Sequence, residues 1–154
     1  MIRGRRHTLE NGRVLGGDDL EAVAIEGRSP CLLAFHGFTG TASELRPLIE
    51  AVAAKGYAVR VPLLPGHGTS PDALQAIGFE AMCEAMRLEL ELAARDHESV
   101  ILCGFSLGSL VAMQLASEGH PKARALIVLG NALTLTAMSS APLGLLDRFR
   151  IQMP

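Results

Sequence analysis

Short apolar runs alternate with segments of helical spacing along this chain, and that alternation leaves few folds open. Residues 31–35 are apolar throughout, as in a strand covered on both faces. After Gly40 the spacing changes, and Leu45, Leu48, Ile49 and Val52 fall on one helical face. Thr41 and Ser43 are candidate caps for that helix, Pro47 lies near its first turn and Gly56 stops it. Residues 57–63 form the next expected strand. Phe79, Met82, Cys83, Met86, Leu90 and Ala93 then mark a second amphipathic helix, an ordinary core stripe. Residues 100–103 are expected to be a strand, 107–117 an apolar helix and 125–129 a further strand. Two short strands, 8–14 and 20–26, precede all of these, joined by the turn Gly16-Gly17-Asp18-Asp19. Such alternation predicts an α/β fold with a mostly parallel sheet and helices on both faces. Ligands then bind at the carboxyl ends of the strands.

The remaining composition excludes other classes. At 154 residues, with 49% hydrophobic and 19% charged residues, the chain is one domain's worth of foldable sequence. A formal net charge of -2 gives no electrostatic reason to expect a nucleic acid partner. Arg3, Arg5 and Arg6 are too short a basic cluster to bind much, and the polar stretch after them is not a signal-peptide core. The longest apolar run, 123–138, is broken by Arg124, Asn131 and two threonines, and falls short of the ~20 residues of a membrane span. Cys31, Cys83 and Cys103 each sit in apolar surroundings, which reads as buried, reduced thiols of a cytoplasmic protein.

Chemistry concentrates in Gly104-Phe105-Ser106-Leu107-Gly108, a Gly-x-Ser-x-Gly between an expected strand and an expected helix. A nucleophile elbow needs that placement, because a tight turn there lifts the serine hydroxyl above the sheet. A purely structural turn would also tolerate the pattern, but would not require it between those two elements. The helix opening at Leu107 aims free N–H groups at the same place, which favours developing negative charge. A second segment, His36-Gly37-Phe38-Thr39-Gly40, follows the strand 31–35. An oxyanion hole takes one N–H from the residue after the nucleophile and one from such a loop. Leu107 and Phe38 are therefore the expected donors, and Ser106 the expected nucleophile.

Those two segments occur in order with Arg46-Pro47-Leu48 and Leu64-Pro65-Gly66-His67-Gly68-Thr69-Ser70-Pro71. Together they resemble the carboxylesterase and monoacylglycerol-lipase branch (serine aminopeptidase S33 type) of the α/β hydrolases, along its N-terminal portion. Pro62-Leu63 departs from many relatives, which carry an acidic residue there. The resemblance implies a small-molecule acyl ester as substrate, no metal and no organic cofactor. It also implies loop-shaping roles for His36 and His67. Phe38, Phe105, Leu107, Leu143 and Leu146 are expected to line an apolar acyl pocket.

The rest of a triad is not legible. In this fold an Asp or Glu and then a His follow the serine in sequence. Glu118 and His120 have that order, but a helix over 107–117 puts His120 on the order of 18 Å away. His97 precedes the strand, His7 lies in the N-terminal tail, and no histidine follows Asp147. The expectation is an α/β-hydrolase core over 1–130, cut short after about the sixth strand, with 131–154 entering a lid. A missing part of roughly 80–100 residues would carry the acid and base. The chain alone is then inactive, and strand 125–129 becomes an exposed edge open to self-association. An acyltransferase of the same fold and a non-catalytic remnant or binding module are the rival readings.

Overall fold

Alternate residues of a strand point to opposite sides of its sheet, and on the central strands here both sides are apolar. The computed structural model describes residues 22–130. Strand β2, Arg28–Phe35, sends Cys31, Leu33 and Phe35 to one face and Leu32 and Ala34 to the other. Strand β4, Val100–Phe105, likewise divides Val100 and Leu102 from Ile101 and Cys103. Helices α3, Phe79–Asp96, and α4, Leu107–Ser117, cover the first face with Cys83, Met86, Leu90, Val111 and Leu115. Helix α1, Arg46–Ala53, covers the second with Leu48, Ile49 and Val52. These two buried layers drive the fold, because each fully buried side chain of this kind contributes about 1.5–3 kcal/mol.

Strands β1, Val23–Ile25, β3, Tyr57–Val61, and β5, Ala123–Leu129, complete a sheet of order β1-β3-β2-β4-β5. Pairing is parallel except between β1 and β3. The carboxyl ends of β2, β3, β4 and β5 therefore share one edge. Phe35 lies opposite Gly104, and Gly104 opposite Val128, so the loops after β2 and β4 are neighbours. No helix of the described residues is long and apolar enough to cross a membrane.

Several sequence expectations shift. Strand β2 starts at Arg28, three residues early, β3 stops at Val61, and β4 and β5 run through Phe105 and from Ala123. The single helix expected after Thr41 is a 3-10 turn, Ala42–Leu45, followed by α1. Thr41 caps that turn, accepting the Ser43 N–H at 3.3 Å, whereas Ser43 lies inside it. Helix α2, Pro71–Ala76, has no counterpart among the sequence expectations; it buries none of its residues, so no apolar stripe announces it. Its local signals are Ser70, whose Oγ accepts the Ala73 N–H, and Pro71 in the first turn. The strand expected at 8–14, the turn at 16–19 and the lid segment 131–154 lie outside the described residues.

All three cysteines are free and fully buried. Burial pushes the Cys31 and Cys83 thiols up to about 12 and the Cys103 thiol to about 11, so none offers a thiolate near neutral pH. Strand β5 is the outer strand among the described residues, and Leu126, Ile127, Val128 and Leu129 are each 36–39% exposed.

Candidate active site

Ser106 is the single residue between the end of β4 and the start of α4, and so short a connection demands an unusual backbone. It holds φ 52° and ψ −115°, a region that costs a non-glycine residue about 1–3 kcal/mol. The turn is over-determined by its neighbours. Ser106 N–H donates to the Leu129 carbonyl at 2.9 Å. The buried Ser109 hydroxyl donates to the Gly104 carbonyl at 2.7 Å and is shared with Leu129 O at 3.2 Å. A Cβ on Gly104 would run into the Gly108 carbonyl, and one on Gly108 into the carbonyls of Phe35 and His36. Those obstacles are backbone and cannot swing aside, so both positions require glycine. The Ser106 side chain makes no capping bond, and its hydroxyl has no hydrogen-bond partner among the described residues.

Gly108 pressed against Phe35 and His36 also brings the loop after β2 against the first turn of α4. That loop is tightly specified. The Gly37 carbonyl accepts the His36 Nδ1–H at 3.0 Å and the Gly40 N–H at 3.1 Å. A trans peptide directs its C=O and N–H oppositely, so fixing Gly37 O also fixes where the Phe38 N–H points. Among the described residues, neither the Phe38 N–H nor the Leu107 N–H has a hydrogen-bond partner. The Phe105 side chain packs over Gly37 and remains 37% exposed.

Both histidines at this edge bond to backbone groups. His36 is fully buried, and its Nε2 accepts the Leu64 N–H at 3.0 Å, tying the loop after β2 to the loop after β3. Its two nitrogens are thus both engaged. Burial holds it down to about 4, with His67 adding to that effect and the Gly37 carbonyl opposing it. His67 stands edge-on to His36 at 4.8 Å and to Phe38 at 6.2 Å between ring centroids. Its Nδ1–H donates to Pro65 O at 3.3 Å, while its buried Nε2 has no partner among the described residues. Burial lowers its pKa as well.

This predicts an acid sensitivity. Below about pH 6.5 the unfolded chain takes up protons that native His36 and His67 refuse, so stability present above that pH is lost as pH falls towards 4. Between pH 6.5 and 5 the loss from His36 alone is about 1–2 kcal/mol. Urea midpoints at pH 7 and 5 should differ accordingly; equal midpoints would contradict neutral burial of these rings.

The other titratable candidates lie elsewhere. His97 caps the C-terminus of α3 and His120 follows α4, at the opposite edge of the sheet. Glu118 accepts two bonds from Arg87 at 2.8 Å, which holds its carboxyl low, and it braces α3 against α4. Of the expected acyl-pocket residues, Phe38 and Phe105 stand at the serine's edge. Leu107 is buried, 6% exposed. Leu143, Leu146 and Asp147 lie outside the described residues. Ser109 and Glu44, whose carboxylate accepts the Gly37 N–H at 2.9 Å, carry no motif in the sequence. Among the described residues no group of three or more His, Cys, Asp or Glu could hold a metal ion.

With this geometry in place, known proteins offer a comparison. A family model described as alpha/beta hydrolase fold matches residues 30–153. The thermostable monoacylglycerol lipase of Bacillus sp. (strain H-257) is 30% identical over 113 residues, covering 73% of this chain and 45% of the relative. A carboxylesterase of Bacillus subtilis (strain 168) is 32% identical over 91 residues, covering 58% of this chain and 37% of the relative. A solved structure of the metagenome-derived lipolytic enzymes LipS and LipT matches with a TM-score of 0.75 and 26% identity, over 89% of this chain and 54% of that one. The chain spans less than half the length of those two curated relatives.

Proposed function

The chain belongs to the α/β-hydrolase family, and on that premise we propose that it carries the nucleophile of a serine esterase. Ser106 Oγ attacks the carbonyl carbon of a carboxylic ester, the N–H groups of Phe38 and Leu107 receive the oxyanion, and the alcohol departs to leave an acyl-enzyme. Water then releases the acid. The observation that carries this reading is Ser106 itself: a strained residue between β4 and α4 whose hydroxyl, like the Phe38 and Leu107 N–H groups, has no hydrogen-bond partner among the described residues. Each such donor is worth about 2.7–4 kcal/mol in the transition state. The base and the acid that orients it are assigned outside the described residues, because His36 has both nitrogens engaged and His67 is turned to Pro65.

The apolar rings of Phe38 and Phe105 suit an acyl chain, with Leu143 and Leu146 as further walls. Hydrolysis of p-nitrophenyl esters of increasing acyl length, with and without an added alcohol, tests this. Free acid as the main product supports an esterase; an alkyl ester as the main product makes it an acyltransferase.

The outer edge of β5 is also proposed to pair with another chain. A row of exposed apolar residues along an edge with no strand partner among the described residues is a template for strand addition. Light scattering at micromolar protein should show association that grows with concentration, and a stable monomer would contradict it.

A further inference from the structure

We propose that Glu44 is a positioning residue that holds the loop of residues 36–40 in the form that offers the Phe38 N–H to the oxyanion. This rests on the reading of Ser106 as nucleophile. Glu44 sits in the 3-10 turn, which Thr41 caps and which closes with the Glu44 N–H donating to Thr41 O at 3.2 Å. Its carboxylate extends back over the loop. Oε2 accepts the Gly37 N–H at 2.9 Å, and the same carboxylate occupies the space a side chain at Gly40 would need.

Two consecutive peptide units are thereby oriented, one of them from outside the loop. The His36 ring and Gly40 N–H fix the Gly37 carbonyl, and Glu44 fixes the N–H of the unit before it. Thr39 at φ 59° shows that the loop is not in its relaxed form and needs such restraint. The backbone of Gly37 is buried, so without Glu44 its N–H loses its acceptor and the loop reorganises to find another. Only the acceptor oxygen is required. The negative charge beside a developing oxyanion works against catalysis, so an uncharged acceptor should serve at least as well.

Glu44→Gln keeps an acceptor oxygen and Glu44→Ala removes it; Glu44 is solvent-accessible, and neither change creates a buried cavity. Two measurements on the full chain separate the possibilities. Amide hydrogen exchange at Gly37 and Phe38 reports the loop, and the limiting rate of Ser106 acylation by p-nitrophenyl butyrate reports the oxyanion. In Glu44→Ala, exchange at Gly37 should rise and acylation fall about fivefold, with the half-saturating ester concentration unchanged. In Glu44→Gln, both should stay within about twofold of the parent, or acylation should rise. Unchanged exchange in Glu44→Ala, unchanged acylation despite faster exchange, or a Gln variant as impaired as the Ala variant would overturn the proposal. Absence of acylation at Ser106 in the parent would defeat the nucleophile assignment instead, while exchange at Gly37 still decides whether Glu44 holds the loop.

Discussion

The 154-residue chain purified alone is expected to hydrolyse p-nitrophenyl esters at least about 10⁴-fold more slowly than a serine esterase with a complete triad. A serine hydroxyl at its ordinary pKa is a weak nucleophile until an adjacent base removes its proton. None of the described histidines hydrogen-bonds Ser106. The nearest by topology, His36, gives Nδ1–H to Gly37 and takes the Leu64 N–H on Nε2. Using it as a base would break the tie between two loops and leave the Leu64 N–H unpaired in the core. An oxyanion hole alone sustains about 10³–10⁴-fold catalysis over water when triad members are lost, so a small enzymatic rate should remain. A rate near that of a complete esterase would contradict the structural roles given to His36 and His67.

In any form of the protein that is active on esters, Ser106→Ala is expected to lower kcat by up to about 10⁶-fold, the cost of losing a serine nucleophile that works with its base. Folding should survive. The Ser106 hydroxyl bonds nothing among the described residues, and the turn is held by the Ser106 N–H and by the Ser109 hydroxyl, which the substitution leaves alone. A Ser106→Ala variant with the parent's unfolding midpoint and the parent's kcat would remove the assignment.

How much was legible in the sequence follows from how each feature announces itself. Helix α4 was placed to the residue, because an apolar run opens at the glycine-flanked serine and ends before Gly119. The six buried positions of α3 follow the Phe79, Met82, Cys83, Met86, Leu90, Ala93 stripe, with Phe79 only partly buried and Ala94 added. Helix α2 gave no such sign, since it packs nothing into the core. The parts of the site that motifs carry, Ser106 between a strand and a helix and the loop after β2, stand where the pattern put them. What stayed hidden is held by single long-range hydrogen bonds. Glu44 reaches Gly37 across 7 residues and Ser109 reaches Leu129 across 20, and neither spacing has a period to detect.

The central claim is that Ser106 is acylated, and the chain's own expected slowness makes that measurable. An activated ester with a good leaving group needs less proton transfer to form the acyl-enzyme than water needs to cleave it. Without a base, the adduct should therefore accumulate. The measurement is mass spectrometry of the chain after incubation with p-nitrophenyl butyrate and an acid quench, with peptide mapping of the modified site. The expected result is one butyryl group, on the peptide containing Ser106, in the parent and none there in Ser106→Ala. Butyrylation confined to other residues, or an equal adduct in the Ser106→Ala chain, would contradict the account.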